Sequence, residues 1–284
     1  MRRLCDSFAV MLLMVCLLPC TVLGGTVEEA KQALEMGEDE IALNILRPLS
    51  EENTEAMVLL ADYYLKYGDE DKDGAKAVKL FRKAAERDDM LAQYWLGCLY
   101  TSGRGVDEDK TVAFAWFKRA AENGHPIAQL YVAEGYYQGK GTSVDKKKAI
   151  KWLKRSAEQE YPKAMAILGN YYLLGQNIVR DSQKGFELTR KAAEKGMSGC
   201  LRTVAYCYDK GIGTEVNHAM AITYLKRSAD IGDAVGQYEL AVRYLKGQGV
   251  EKDYFNAALL LDKSAKSGYP PARKLLSQLS EQQK

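Results

Sequence analysis

Six tyrosines stand at a fixed interval of 36 residues: Tyr64, Tyr100, Tyr136, Tyr172, Tyr208 and Tyr244. A strict period of this length demands a stack of equivalent supersecondary units, because each unit must bury the same face against its neighbours. Aligning the chain at that interval gives six units, 55–90, 91–126, 127–162, 163–198, 199–234 and 235–270. Each opens with a small residue (Ala56, Ala92, Ala128, Ala164, Cys200, Gly236), and an aliphatic residue follows four positions later. A second small residue comes next, then the tyrosine three further on. Positions i, i+4, i+5 and i+8 share one face of an α-helix. The small residues allow a neighbouring helix to approach closely, and tyrosine adds a large apolar ring with a polar tip.

The remainder of each unit reads as a turn and a second helix. Glycine pairs end the first helix in most units (Gly103/Gly105, Gly139/Gly141, Gly211/Gly213, Gly247/Gly249), where glycine tolerates the left-handed closing conformation. Asp109, Asp145, Asp181, Asn217 and Asp253 recur in phase and are suited to cap the second helix. That helix ends in Ala-Ala or Ser-Ala pairs, then in Gly124, Gly196, Gly232 or Gly268. Pro126, Pro162 and Pro270 lead into the next unit. Unit four departs most, with Asn177 in place of the second turn glycine. Residues 25–54 read as a degenerate capping helix pair and 271–284 as a capping helix with a polar end.

The pattern Ala–x3–Leu–Gly–x2–Tyr–x2–Gly–x–Gly–Val–x2–Asp–x3–Ala–x2–Trp–x3–Ala–Ala–x2–Gly, nearly complete over residues 91–126, resembles the Sel1-like repeat, a relative of the tetratricopeptide repeat. The resemblance covers about residues 55–272 and implies an all-α, right-handed α-α superhelical solenoid. It also implies a non-catalytic scaffold that binds another protein or peptide, with bacterial members acting as periplasmic adaptors or host-interaction factors.

Residues 1–24 stand apart from the repeats. Arg2 and Arg3, the apolar run from Phe8 to Leu18 and the small Val22-Leu23-Gly24 site have the order of a cleaved signal peptide. The run is too short to span a bilayer. Export to the periplasm or secretion follows, with a lipoprotein ending at Cys20 or an endoplasmic-reticulum lumen as the alternatives. No Asn–x–Ser/Thr acceptor and no retention signal is present, which leans towards the periplasm. Lysine plus arginine number 40 against 38 aspartate plus glutamate, so no net charge drives the chain to nucleic acid. Removal of the signal leaves Cys98, Cys200 and Cys207, which have neither disulfide-framework nor metal-ligand spacing and read as free thiols.

Chemistry is scarce. The two histidines, His125 and His218, are far apart in sequence and suggest no triad or metal site. Ser143-Val144-Asp145-Lys146 matches Ser–x–x–Lys but lacks the companion motifs of β-lactam-acylating proteins. A cysteine-rich branch of the resembled family has been described as penicillin-binding, but its regular cysteine pairs are absent here. No cofactor or metal is expected. By analogy with the tetratricopeptide groove, the first-helix positions off the packing stripe are candidates for partner binding: Tyr94, Leu130, Glu134, Tyr137, Asn170, Leu173, Arg202, Tyr206, Tyr238 and Val242. They vary from unit to unit and mix apolar anchors with polar groups, as a peptide-binding groove requires. The rivals are a penicillin-binding or β-lactamase-like protein, and a cell-wall glycan binder that stacks sugars on the tyrosines.

Overall fold

The computed structural model describes residues 25–69 and 72–282. The expected signal peptide, residues 1–24, lies outside them. Fifteen α-helices and one 3-10 turn make up the described chain, and no strand occurs among these residues. The chain divides between Asp109 and Lys110 into two compact units.

The first unit holds α1 (Val27–Met36), α2 (Asp39–Leu49), α3 (Thr54–Tyr67), α4 (Lys72–Glu86) and α5 (Met90–Ser102). Each helix packs on the next. Thr26 begins α1 with a capping box: its hydroxyl accepts the Glu29 amide while the Glu29 carboxylate accepts the Thr26 amide. Ala30, Ile45, Leu46, Ala56 and Leu60 form a core across α1 to α3, so the degenerate opening pair is bonded to the repeats by apolar packing. Phe81 of α4 is wholly buried and stacks on Trp95 of α5, with ring centroids 6.2 Å apart.

The second unit holds α6 (Lys110–Glu122), α7 (Pro126–Gln138), α8 (Lys146–Glu158), α9 (Pro162–Leu174), α10 (Ser182–Glu194), α11 (Leu201–Lys210), α12 (His218–Asp230), α13 (Ala234–Lys246), α14 (Tyr254–Lys266) and α15 (Pro270–Gln282). Antiparallel pairs α7/α8, α9/α10, α11/α12 and α13/α14 stack in sequence. Proline occupies the first turn of α7 and α9, where its missing N–H leaves no helical bond unmade. The small residues of the stripe are buried, among them Ala128, Ala164, Ala205 and Ala241. The ladder tyrosines join repeats. Tyr136 meets Phe114 of the preceding pair edge to face at 5.1 Å, and Tyr208 meets Phe186 likewise at 5.0 Å.

The mid-repeat loop is closed identically in five repeats. The backbone N–H of Asp109, Asp145, Asp181, Asn217 and Asp253 donates to the carbonyl of the ladder tyrosine nine residues earlier, at 2.8–3.1 Å. In the second unit, the side chains of Asp145, Asp181, Asn217 and Asp253 then accept the amide three positions on, capping the second helix. The second loop glycine serves a further purpose. A Cβ on Gly141 would stand 2.0 Å from the Lys110 carbonyl oxygen, and one on Gly213 would stand 2.0 Å from that of Ser182. Each loop therefore rests directly on the start of the preceding second helix. Asn177 adopts the same left-handed conformation, φ 58°, which asparagine tolerates better than most residues.

Two features were not evident from the repeat pattern. Gln93, Gln129 and Gln237 are buried one position after the small opening residue, and each carboxamide donates to the alanine carbonyl that ends the preceding second helix (Ala85, Ala121, Ala229) at 3.2–3.3 Å. The serines in the Ser-Ala pairs are likewise bonded: Ser156 and Ser264 donate to the Pro126 and Ala234 carbonyls at 2.7 and 2.6 Å. Unit five also starts differently. A 3-10 turn over Ser198–Cys200 precedes α11, because Met197 supplies no side-chain cap and no proline sets the first turn. Cys200 thus sits at the junction of the turn and α11, whereas Cys207 lies within α11.

Replacing Gly141 by alanine is expected to destabilise the chain by about 2–4 kcal/mol, since both positive φ and backbone collision oppose the methyl. Gly37 has a similar φ, 76° against 70° at Gly141, but open space around it, so Gly37→Ala should cost only about 1 kcal/mol. Urea unfolding of the two variants side by side measures the difference, and equal losses would refute the close-approach explanation.

Candidate binding surface

Successive first helices of the second unit share one face, and two cavities open on it. The first, of about 600 Å³, is floored by Leu130, Ala166 and Ile167 from α7 and α9 and reaches Cys200 and Thr203 at the start of repeat five. Glu134, Tyr137 and Asn170 stand on its walls. The second, of about 540 Å³, lies between α11 and α13 and carries Arg202, Tyr206, Tyr238 and Val242. Eight of the ten expected residues are therefore brought to these two cavities, four to each. Leu173 is placed elsewhere: it is buried against Gly185 of α10, within its own helix pair. Tyr94 belongs to the first unit, where its ring lies 5.6 Å from that of Trp95.

The first cavity is mainly apolar with a polar end. Tyr137 and Tyr171 approach with ring centroids 6.0 Å apart, and the Gln176 amide donates to the Tyr137 hydroxyl at 3.0 Å. Burial, together with the bond to Tyr137, pushes the Tyr171 hydroxyl up to about 12. Bonds from Tyr171 and Gln176 move Tyr137 in the opposite direction. Glu134 pairs with Lys163 at 3.4 Å. Asn170 is exposed. A primary amide there can both donate to and accept from an extended peptide backbone.

The second cavity is built on charge. Asp209 of α11, whose side chain is only 6% exposed, accepts Arg243 of α13 at 2.8 Å and contacts His218 at 2.9 Å and Lys210 at 3.3 Å. The Arg243 bond, opposed by burial and helped by His218 and Lys210, holds its carboxyl far below the usual range. Arg202 reaches Asp233 at 2.8 Å and Glu239 at 3.8 Å. Burial works against ionisation at Asp233, but the Ser228 hydroxyl and Arg202 hold it down; at Glu239 burial prevails and raises the carboxyl. Asp209 and Arg243 thus clip neighbouring first helices together beneath the cavity. Nothing in the sequence spacing pairs Asp209 with a residue 34 positions on.

Of the residues considered for chemistry, His125, Asp145 and Lys146 have structural partners. His125 Nδ1 accepts the Ala128 amide as the cap of α7, and its burial lowers the ring's proton affinity. Ser143 is exposed in a mid-repeat loop, and Lys146 Nζ sits 5.6 Å from the Tyr137 ring centroid. Asp145, between them, is the cap of α8. No cluster of three His, Cys, Asp or Glu side chains suited to a metal occurs among the described residues. Cys98, Cys200 and Cys207 are free thiols; burial raises all three, Cys207 to about 11.

Helix pairs repeating every 36 residues, with a tyrosine stripe inside and a variable face outside, define an all-α solenoid repeat protein. A family model for the Sel1 repeat matches residues 54–89, 91–125, 126–161, 162–197, 202–233 and 234–269, and the chain belongs to that family. Among solved structures, it is similar to c5321, a protective antigen present in uropathogenic Escherichia coli strains and displaying an SLR fold. The two are 33% identical with a TM-score of 0.76, over 91% of this chain but 52% of that one, so this chain spans about half the antigen's length. A Sel1 repeat protein from Oxalobacter formigenes is 29% identical with a TM-score of 0.68, covering 78% of this chain and 86% of the other. No curated protein matches the chain.

Asp209→Asn keeps the shape and removes the charge that Arg243 and Lys210 share. At pH 7 it should destabilise the chain by about 2–3 kcal/mol. Because the folded carboxyl is depressed, its contribution is present above the unfolded value of about 4 and disappears as pH falls below it. Denaturant titrations at pH 7 and about pH 3 should therefore show a gap between parent and variant that narrows in acid; a gap independent of pH would remove the ionic explanation.

Proposed function

We propose that this chain is an exported, non-catalytic scaffold that binds an extended or helical peptide of a partner protein along the first-helix face of repeats three to six. The observation that carries this reading is the first cavity, where an exposed Asn170 amide stands over an apolar floor of Leu130, Ala166 and Ile167. Apolar anchors supply affinity and a bidentate amide supplies register for a peptide backbone. The second cavity adds aromatic and charged groups, which suit selection among sequences. Tyr94 of the first unit belongs to the same set of positions by repeat phase. The order of residues 1–24 supports export, with the periplasm as the destination. Similarity to a protein described as a protective antigen is in keeping with that location.

Exposed Tyr206 keeps a glycan platform as the second reading, since its ring is free for stacking on a sugar. Photoreactive residues at Tyr94, Tyr137 and Tyr238 in the native envelope should capture a protein, whereas the same residue at the solvent-facing second-helix positions Lys151 and Thr223 should not. Capture only at the second-helix positions would sink the proposal. Retention on peptidoglycan that is lost in Tyr137→Ala and Tyr206→Ala would transfer the surface to a glycan.

A further inference from the structure

The end of the second unit that carries the mid-repeat loops has a composition unlike the repeat pattern. In each antiparallel pair the first helix runs towards this loop and the second runs away from it. Each loop from repeats three, five and six rests on the start of a preceding second helix, through Gly141, Gly213 and Gly249. The loops therefore lie side by side and form one continuous edge. Along it stand exposed apolar side chains, at least one per repeat: Val144, Leu174 with Val179, Val216, and Tyr254 with Phe255. Val179 is 85% exposed and Phe255 79%. These are not loose ends. Val144 and Val216 each sit beside the glycine that closes their first helix, so their side chains are held in place on the edge. The loop itself is closed by backbone bonds and by the capping side chains of Asp145, Asp181, Asn217 and Asp253.

The charge on this edge is one-sided. The segments 138–148, 174–184, 210–220 and 246–256 together contain nine lysines and arginines against five carboxylates, although Lys148 and Lys184 pair with Asp145 and Asp181, and Lys210 with Asp209 just outside the segments. Three of those carboxylates, Asp145, Asp181 and Asp253, already accept helix amides as caps. Lys146, Lys147 and Lys148 are consecutive and exposed. The full chain has a net charge of only +2, so this positive excess is local.

Apolar side chains standing out from a row of cations are the chemistry of attachment to an anionic bilayer surface. The apolar groups enter the headgroup boundary, and the cations are drawn to the negative surface potential. We propose that the mid-repeat-loop edge of repeats three to six docks on an anionic lipid bilayer without crossing it. No described helix is long and apolar enough to span a membrane, so attachment there is peripheral. The edge lies at the ends of the helices, whereas the proposed peptide surface lies along them. The chain could thus hold a partner while lying on a membrane.

Co-sedimentation with vesicles of phosphatidylcholine alone and with added phosphatidylglycerol tests this. Both the full chain and a chain beginning at Gly25 are used, which separates the edge from the apolar run at residues 8–18. The chain from Gly25 is expected to bind the anionic vesicles roughly tenfold or more better than the neutral ones. Binding should weaken as ionic strength rises from about 0.1 to about 0.5 M. Changing Lys146, Lys147 and Lys148 together to glutamine should abolish the preference, and Val179→Glu with Phe255→Glu should lower binding to both vesicle types. All these positions are exposed, and circular dichroism checks that the variants fold. Equal binding to neutral and anionic vesicles, no binding to either, or binding unaffected by both sets of changes overturns the proposal.

Discussion

The bond from each capping residue's backbone N–H to the carbonyl of the ladder tyrosine is the constraint on which the rest of the structure depends. It draws the loop back onto the end of the first helix and so fixes where the second helix starts. With the loop held there, the capping carboxylate or amide meets its helix amide, and the second glycine comes down on the preceding helix. One satisfied carbonyl therefore links local chain reversal to stacking between repeats. It also explains why the tyrosine and the Asp or Asn are kept in phase, although their side chains do different things.

The architecture was legible because solenoid packing repeats its demands. Small residues, ladder tyrosines, loop glycines and caps each answer a steric or hydrogen-bonding need that recurs every 36 residues. What escaped the repeat pattern was the polar interior. Gln93, Gln129 and Gln237 share a phase with Met57, Met165 and Leu201, so the column looks like ordinary variation in a packed position. Their bonds depend on a carbonyl at the end of another helix, and hydropathy carries no record of it. The bonds of the serines in the Ser-Ala pairs are hidden for the same reason. Alternation of a polar with an apolar residue in one buried column is the signal that would have exposed both.

The candidate surface was less legible than the fold, and for a physical reason. Phase places a residue on a helix face but does not say whether a neighbour covers it. Leu130 and Leu173 both lay on the expected groove rows; the first floors a cavity and the second fills the space left by Gly185. Charged positions were harder still. Arg202 could be taken as a group free to meet a ligand, yet Asp233 holds it at 2.8 Å. Long side chains choose partners by three-dimensional reach, and a separation of 31 positions hides that choice in the sequence.

The glutamine column has a mechanical consequence. At two successive boundaries of the second unit, where repeats three, four and five meet, its place is taken by Met165 and Leu201. Dispersion contacts there change little when surfaces slide by a fraction of an ångström, whereas a carboxamide bond to a fixed carbonyl resists such motion. Repeat four thus meets both neighbours without the glutamine bond, which recurs on either side at Gln129 and Gln237. The larger cavity opens over those same two boundaries, from Leu130 to Thr203. The glutamine bond is therefore missing just where that cavity crosses from one repeat to the next.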